Sequence, residues 1–197
     1  MGVITEGVEM RAAVLDDAGA LAGALLRNRT YMHPWEPDRH WTFFTEGGQR
    51  TRLREQLAQR AVGQAMLWVL VETDGGRLVG AISLSRIALG PLCSASVGYW
   101  VDAERAGRGI ATAAVEAVCL AAREEFALHR VEAGTMVDNM ASQRVLTKAG
   151  FAQYGCAPKY LYANGAWRDH LLFQRILHDE RPRSIGHDLL IKKLADR

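Results

Sequence analysis

One strand–helix–strand unit set among hairpins constrains this chain more than any other feature. Ser94–Val101 alternates Ala95, Val97, Tyr99 and Val101 on one face, Gly109–Phe126 is an Ala-rich helix, and Arg130–Val137 is again a strand. Such a crossover joins parallel strands and is right-handed. The small helix side chains allow close packing on a sheet. The other strands turn straight back. Met66–Val71 is the near-continuous apolar run of a strand covered on both faces, and Asp74-Gly75-Gly76 leads it into Leu78–Leu84. Phe151–Leu161 and Trp167–Leu177 meet at Asn164-Gly165, a second hairpin signal. With Val8–Leu15 as the first strand, the expectation is an α/β fold. Its mixed, mostly antiparallel sheet has about seven strands and one central parallel β-α-β crossover.

Helices fill the gaps. Asp16 and Asp17 are expected to cap an Ala/Leu-rich helix that buries Leu21, Leu25 and Leu26. Tyr31–His40 reads as a loop, because Pro34 and Pro37 exclude helix interior. A helix from Glu46 to Val62 places Leu53 and Leu57 four apart, and its Arg50, Arg52, Arg54 and Arg60 read as a solvated face. A short helix, Asn139–Ala149, lines up Ser142, Val145, Leu146 and Ala149, and Gly150 closes it.

Composition narrows the function classes. The chain has 197 residues, 49% hydrophobic and 23% charged, with a formal net charge of +2, too balanced to argue for a nucleic-acid partner. Cys93, Cys119 and Cys156 are far apart and lie in apolar segments, so they read as buried small hydrophobes. The histidines are scattered and imply no metal site. No apolar run reaches the ~18 residues of a membrane span, and the N-terminus lacks a signal-peptide pattern. A cytoplasmic protein is expected, with residues 1–178 as the domain and 179–197 as a tail carrying Leu189, Leu190, Ile191 and Leu194 at helical spacing.

The chemistry concentrates at the crossover. Gly107-Arg108-Gly109-Ile110-Ala111-Thr112 joins the first parallel strand to the long helix, with Arg105 and Arg108 adding charge. Glycines let successive N–H groups and the helix N-terminus converge on one anion, so the turn suits a pyrophosphate. A plain glycine turn starting a helix is the competing reading. A P-loop is excluded, since GxxxxGK[ST] is absent. A dinucleotide fingerprint fits poorly, because Thr112 holds its third glycine position and hairpins precede it.

Further on, Asn139, Ser142, Leu146, Lys148, Gly150 and Phe151 resemble the NxxSxxxLxKxGF pattern of GNAT acetyltransferases, one strand after the glycine turn as in that family. Asn28-Arg29 with Pro34-Trp35-Glu36-Pro37, Gly98-Tyr99-Trp100-Val101, and Tyr160-Leu161, Asn164-Gly165, Trp167-Arg168-Asp169-His170 narrow the resemblance to the RimJ/RimL-like branch, over about Val8–Leu177. The resemblance implies a GNAT fold whose crossover binds CoA, with acetyl-CoA as cosubstrate. It places Trp100, Val101, Arg105, Ala106, Gly107, Arg108, Gly109, Ile110, Ala111, Thr112, Asn139, Ser142 and Arg144 on the cofactor. Ala106 departs from the Gln or Arg that usually precedes the first glycine. Leu161 stands where RimL-like members can carry a carboxylate, which favours the RimJ-like comparison.

Direct attack of an amine on a thioester needs a neutral amine, donors for the developing negative charge and a proton for the leaving thiolate. Backbone N–H groups around Tyr99–Val101 are the expected donors. Ser142 is the candidate acid, or else a helix-start hydroxyl. Glu36 is the candidate base, acting alone or through a water, or else an exposed loop carboxylate. Tyr31, Trp35, Tyr99 and Tyr160 are expected to wall the acceptor slot beside Glu36; aromatics at strand spacing also serve as core. His170 reads as structural. The implied acceptor is a protein or peptide N-terminus, of ribosomal-protein type, with no nucleic acid or membrane involved and the enzyme a monomer or homodimer. A small amine as acceptor, or a CoA-binding sensor without turnover, are the other readings.

Overall fold

The computed structural model describes residues 2–180. In chain order the elements are β1 (Val3–Thr5), β2 (Val8–Ala12), α1 (Ala18–Arg27), α2 (Arg29–Met32), α3 (Glu46–Ala61), β3 (Met66–Glu72), β4 (Leu78–Ala88), β5 (Ser94–Val101), α4 (Ile110–Glu124), β6 (Arg130–Met136), α5 (Met140–Lys148), β7 (Ala152–Ala163) and β8 (Ala166–Ile176). The strands form one sheet in the order β1-β2-β3-β4-β5-β6-β8-β7. Every neighbour is antiparallel except β5 and β6, the pair joined by the α4 crossover. The mixed α/β sheet is as expected, with eight strands rather than about seven. The extra one, β1, is three residues long, too short for alternation to show in sequence.

Strand periodicity divides the core between two faces. On one, Met10, Trp68, Leu70, Ile82, Leu84, Ala95 and Val97 meet Ala114, Val115, Val118 and Ala122 of α4 and Leu146 of α5. On the other, Val69, Val71, Leu78 and Ala81 meet Ala18, Leu21 and Ala24 of α1 and Leu53 of α3. β3 thus buries both sides, as its unbroken apolar run requires.

Several local expectations change. Asp17 does not cap α1. It is buried and turned back, accepting from Arg11 at 2.6 and 2.9 Å and from the Val14 N–H at 2.8 Å, so it locks the strand-to-helix junction instead. Leu26 points outward at 57% exposure, since the buried stripe of α1 runs through Leu21, Ala24 and Leu25. Tyr31 and Met32 belong to α2, and Pro34 sits in the first turn of a 3₁₀ segment, where its missing N–H costs nothing. Arg52 is half-buried 5.0 Å from the Phe43 ring rather than freely solvated, and burial lowers its pKa. Cys93 and Cys119 are buried, whereas Cys156 is exposed on the outer strand β7. The apolar positions Leu189, Leu190, Ile191 and Leu194 lie outside the described residues. Among the described residues no helix is long and apolar enough to cross a membrane.

One buried carboxylate ties the second helical layer to the crossover. Asp102, directly after β5, is 1% exposed and accepts from Arg27 of α1 at 2.7 and 2.9 Å and from Arg77 at 3.3 Å. Asn28 adds its side-chain oxygen to the Ala103 N–H at 2.8 Å. Burial alone would push the Asp102 carboxyl up; hydrogen bonds led by Arg27 outweigh it and hold the group below its usual range. A carboxyl depressed in the folded state adds stability above its unfolded pKa, and that stability is lost as pH falls through the folded value. Asp102→Asn is therefore expected to cost about 2 kcal/mol at pH 7, as hydrogen bonds to a charged group do. In urea melts the gap from the unmodified protein should close as the pH falls below about 4.

Candidate active site

The parallel pair β5/β6 is hydrogen-bonded over Ser94↔Arg130, Ala95↔Val131 and Ser96↔Glu132, and then the strands part. The N–H of Asp102 bonds to the Val79 carbonyl of the antiparallel neighbour. Backbone groups alternate sides along a strand, so Trp100 and Gly98 also face β4, while the C=O of Val97 and the N–H and C=O groups of Tyr99 and Val101 aim at the gap. On the opposite bank Val137 N–H bonds to the Asp169 carbonyl of β8, so Gly134 and Met136 face the gap. A cleft of about 620 Å³ opens there.

The glycine turn closes one end. Gly107 and Gly109 have φ of +77° and +80°, the left-handed region that other residues enter only with strain. Gly109 precedes α4 without a side-chain cap, and the helix's first backbone bond is Ala113 N–H to the Gly109 carbonyl. The N–H groups of Ile110, Ala111 and Thr112 therefore have no helical acceptor, and all three residues line the cleft. An uncapped, glycine-preceded helix start fits an anionic ligand. Arg144 and Lys148, one turn apart on α5, add positive charge to the cleft wall.

Not every expected residue reaches the cleft. Arg105 lines it, but its guanidinium is ion-paired with Glu72. Arg108 is exposed and stands outside the cleft-lining set. Ala106, Val101 and Trp100 line it, with the Trp100 ring packed on the α1/α3 side of the sheet. Asn139 caps α5, its side-chain oxygen accepting from the Ser142 N–H at 3.0 Å.

Ser142 meets Tyr99 across the gap: the phenol lies 3.0 Å from the Ser142 Oγ and 3.3 Å from its carbonyl oxygen. Burial pushes the Tyr99 hydroxyl up to about 12 despite the Ser142 hydrogen bond, so it stays protonated. Both groups lie on the α4/α5 side of the sheet, because Tyr99 continues the Ala95–Val97 face.

The other face supplies a different wall. Tyr31, Met32, Trp35 and Glu36 come from α2 and the turn after it; Leu161 and His170 come from the last hairpin. Glu36 is half-buried, 3.8 Å from Arg39. Burial raises its pKa, with Arg39 and Arg52 partly offsetting the shift. Tyr160 stands just outside the lining set and packs on His170 at 5.2 Å between ring centroids. Pro158, Lys159 and Tyr160 bulge opposite Asp169, which accepts the Lys159 N–H at 2.8 Å, and this bulge carries Tyr160 over Gly134. The sequence reading missed Gly98, Gly134, Thr135, Met136, Lys148 and the cleft-facing position of His170. Gly98 and Gly134 did carry a signal, since an isolated glycine within a strand marks a close approach to the backbone.

A family profile described as an acetyltransferase (GNAT) domain matches residues 8–152. The chain belongs to the GNAT acetyltransferase family. It is an acetyl-CoA-dependent N-acetyltransferase of the RimJ/RimL-like kind. It is 36% identical over 163 residues, 83% of this chain and 90% of the relative, to YjcK of Bacillus subtilis (strain 168), itself named a probable N-acetyltransferase. The crystal structure of the ribosomal-protein-S5-alanine acetyltransferase from Vibrio fischeri superposes with a TM-score of 0.88 at 35% identity, covering 92% of this chain and all of that one. RimJ of Mycobacterium smegmatis, in complex with CoA-disulfide, gives 0.81 at 29% identity, with 96% and 88% covered.

The cofactor end is testable without an acceptor. Gly109→Ala forces a left-handed alanine, a strain of about 1–2 kcal/mol. Isothermal titration should show CoA binding weakened by roughly 10-fold as the turn shifts to relieve it. Gly23→Ala, in helical α1 with nothing within 4 Å of the added methyl, should leave the affinity unchanged and raise stability by about 0.5–1 kcal/mol.

Proposed function

We propose that this enzyme acetylates a protein N-terminal α-amino group, with an acceptor of ribosomal-protein type. The observation that carries the reading is the character of the acceptor wall. Unpaired strand-edge backbone groups on β5 and β6 face a slot bounded by Tyr31 and Trp35, and Glu36 is the one carboxylate among the described residues lining it. A polyamine or aminoglycoside would call for several converging carboxylates. An extended peptide calls for backbone partners and apolar walls. The name of the Vibrio fischeri structure, a ribosomal-protein-S5-alanine acetyltransferase, points the same way.

The proposed division of labour follows the sheet. Acetyl-CoA supplies an acetyl group activated as a thioester. The N–H groups of Ile110, Ala111 and Thr112, with Gly107, Gly109, Arg144 and Lys148, hold its phosphates. Asn139 and Ser142 flank its thiol arm. The N–H of Val101 or Tyr99 stabilises the charge that develops on the acetyl oxygen. Ser142 protonates the departing sulfur and is reprimed by the Tyr99 hydroxyl 3.0 Å away. Glu36 receives the incoming ammonium at the mouth. An α-amine with a pKa near 7.7–8.0 sheds its proton at pH 7 for only about 1 kcal/mol, whereas a lysine would need roughly 4–5.

Free CoA release, with product mass confirmed, separates the readings. Peptides with free Ala or Ser termini should be acetylated, and N-terminally blocked peptides, spermidine and an aminoglycoside should not. Turnover confined to the small amines would overturn the peptide assignment. Ser142→Ala should lower kcat by about 10²-fold while leaving CoA affinity intact, the lower range for loss of a general acid.

A further inference from the structure

We infer that His170 is a catalytic residue: its Nε2 accepts the proton that the amine loses during acetyl transfer. This rests on the assignment above of an amine acceptor to the α1/α2 face of the sheet.

The argument begins with which side of the sheet each group occupies. Ala133 pairs with Phe173 and Thr135 with Leu171, and Ala133, Phe173 and Leu171 belong to the α4/α5 side. Alternation then puts Gly134, Met136 and His170 on the opposite side. The proton donors Tyr99 and Ser142 are therefore on one face, and His170 is on the other. The parted strands form the opening between them. An amine entering past Tyr31 and Trp35 reaches the thioester through that opening, and its proton must leave on the face from which it came.

His170 is built as an acceptor. It is 5% exposed, and its Nδ1 lies 3.1 Å from the Arg168 carbonyl oxygen. A carbonyl only accepts, so Nδ1 carries the hydrogen, and Nε2 of the neutral ring is left with a bare lone pair. No protein group bonds Nε2 among the described residues. Although it lacks a partner, it is not fully enclosed. It therefore keeps contact with solvent, and the cleft that His170 lines provides that contact. The Cδ2 beside Nε2 overlies Gly134, 3.7 Å from where a β-carbon would stand, so the strand crossing beneath the ring brings no side chain between Nε2 and the gap.

The charged and titratable neighbours leave this site to the imidazole. Tyr160 of β7 stacks on it at 5.2 Å, with 49° between the planes. Arg168 spends its guanidinium on the Ala163 and Asn164 carbonyls, and Asp169 spends its carboxylate on the Lys159 N–H. Gly134 and Met136 of β6 bring no charge. Glu36 lies across the cleft beside Arg39. In the step, the amine nitrogen forms a bond to the acetyl carbon as the carbon–sulfur bond breaks. The nitrogen's proton passes to Nε2, and the sulfur takes one from Ser142.

Acetyl transfer by the intact enzyme and by His170→Gln is compared across pH, using the amine the intact enzyme acetylates best. Gln keeps a polar side chain but cannot take up the proton. The expected result at pH 7 is a kcat lower by about 10²-fold, with KM for the acceptor and CoA affinity little changed. The loss should shrink as pH rises and hydroxide takes the proton from the attacking nitrogen in place of Nε2. It should also be much smaller for a peptide whose terminal amine is replaced by the weakly basic hydrazide. A kcat close to that of the intact enzyme overturns the inference, as does a loss that is equal at every pH and for both acceptors. If His170→Gln does not fold, diethyl pyrocarbonate is applied to the intact enzyme. Acceptor-protected modification at His170 with loss of activity supports the role, and modification with activity retained refutes it. Absence of transfer by the intact enzyme to any amine overturns the amine-acceptor reading itself, whereas unimpaired His170→Gln overturns this inference alone.

Discussion

The functional architecture depends on two parallel strands that stop pairing. Three residue pairs hold β5 to β6, and beyond them each strand remains bonded only to its outer antiparallel neighbour. A sheet normally satisfies every backbone donor and acceptor in its interior, because an unpaired buried group is costly. Here the defect lies in the middle of an eight-stranded sheet and is tolerated because it opens onto a cleft. The C=O of Val97 and the N–H and C=O groups of Tyr99 and Val101 on one bank, and those of Gly134 with the Met136 N–H on the other, are thereby free for ligands. The break also joins the two faces of the sheet, which would otherwise be sealed from each other.

A gap of that kind needs anchors on both sides. Towards β4, the strand is fixed at its end by Asp102, which gathers Arg27 and Arg77 within 3.3 Å, while Asn28 bonds the next residue's N–H. The helix that ends at Arg27 runs directly into α2, so the network that holds the phosphate turn also sets the position of Tyr31, Trp35 and Glu36. The glycine turn and the α2 wall of the cleft share one support. Towards β7, the bulge at Pro158–Tyr160 is held by Asp169 and delivers Tyr160 onto His170.

Much of this was legible in sequence, for reasons that differ by element. Hairpins at Asp74-Gly75-Gly76 and Asn164-Gly165 announce themselves through turn chemistry, and the lone crossover follows from the Ala-rich helix between two strands. The glycine turn was readable because glycine enters the left-handed conformation at positions 107 and 109 without strain. Side-chain partners were not readable. Arg105 looked available to phosphate, yet it is turned to Glu72 on a strand distant in sequence. Asp17 stands where a helix cap belongs, and Arg11 takes it instead. Tyr99 looked like a wall for the acceptor slot, but strand alternation turns its hydroxyl to Ser142 on the opposite face. His170 reads as structural because a histidine among strand residues carries no periodic signal; the pairing with Met136 shows which face it occupies.

The two faces also separate, under the proposed mechanism, the residues that hold the cofactor from those that meet the acceptor. The α4/α5 face carries the phosphate turn, Asn139, Ser142 and Tyr99, all fixed by the crossover itself. The opposite face is assembled from α2, the turn after it and the last hairpin, which contribute exposed Tyr31, Trp35, Tyr160 and Leu161. These segments touch the crossover chiefly through Asp102 and through the β6–β8 pairing. Substitutions there can reshape that wall of the cleft without moving the glycine turn, Ser142 or Tyr99. Leu161 puts no carboxylate at this point of the hairpin, so under the proposed mechanism the amine's proton goes to another group on the same face. The constraint on that group is geometric: it must lie on the acceptor side of the gap, next to a strand position that leaves the opening clear. Gly134 provides the clear position, and the residues of β8 beside it are the ones that can meet the constraint.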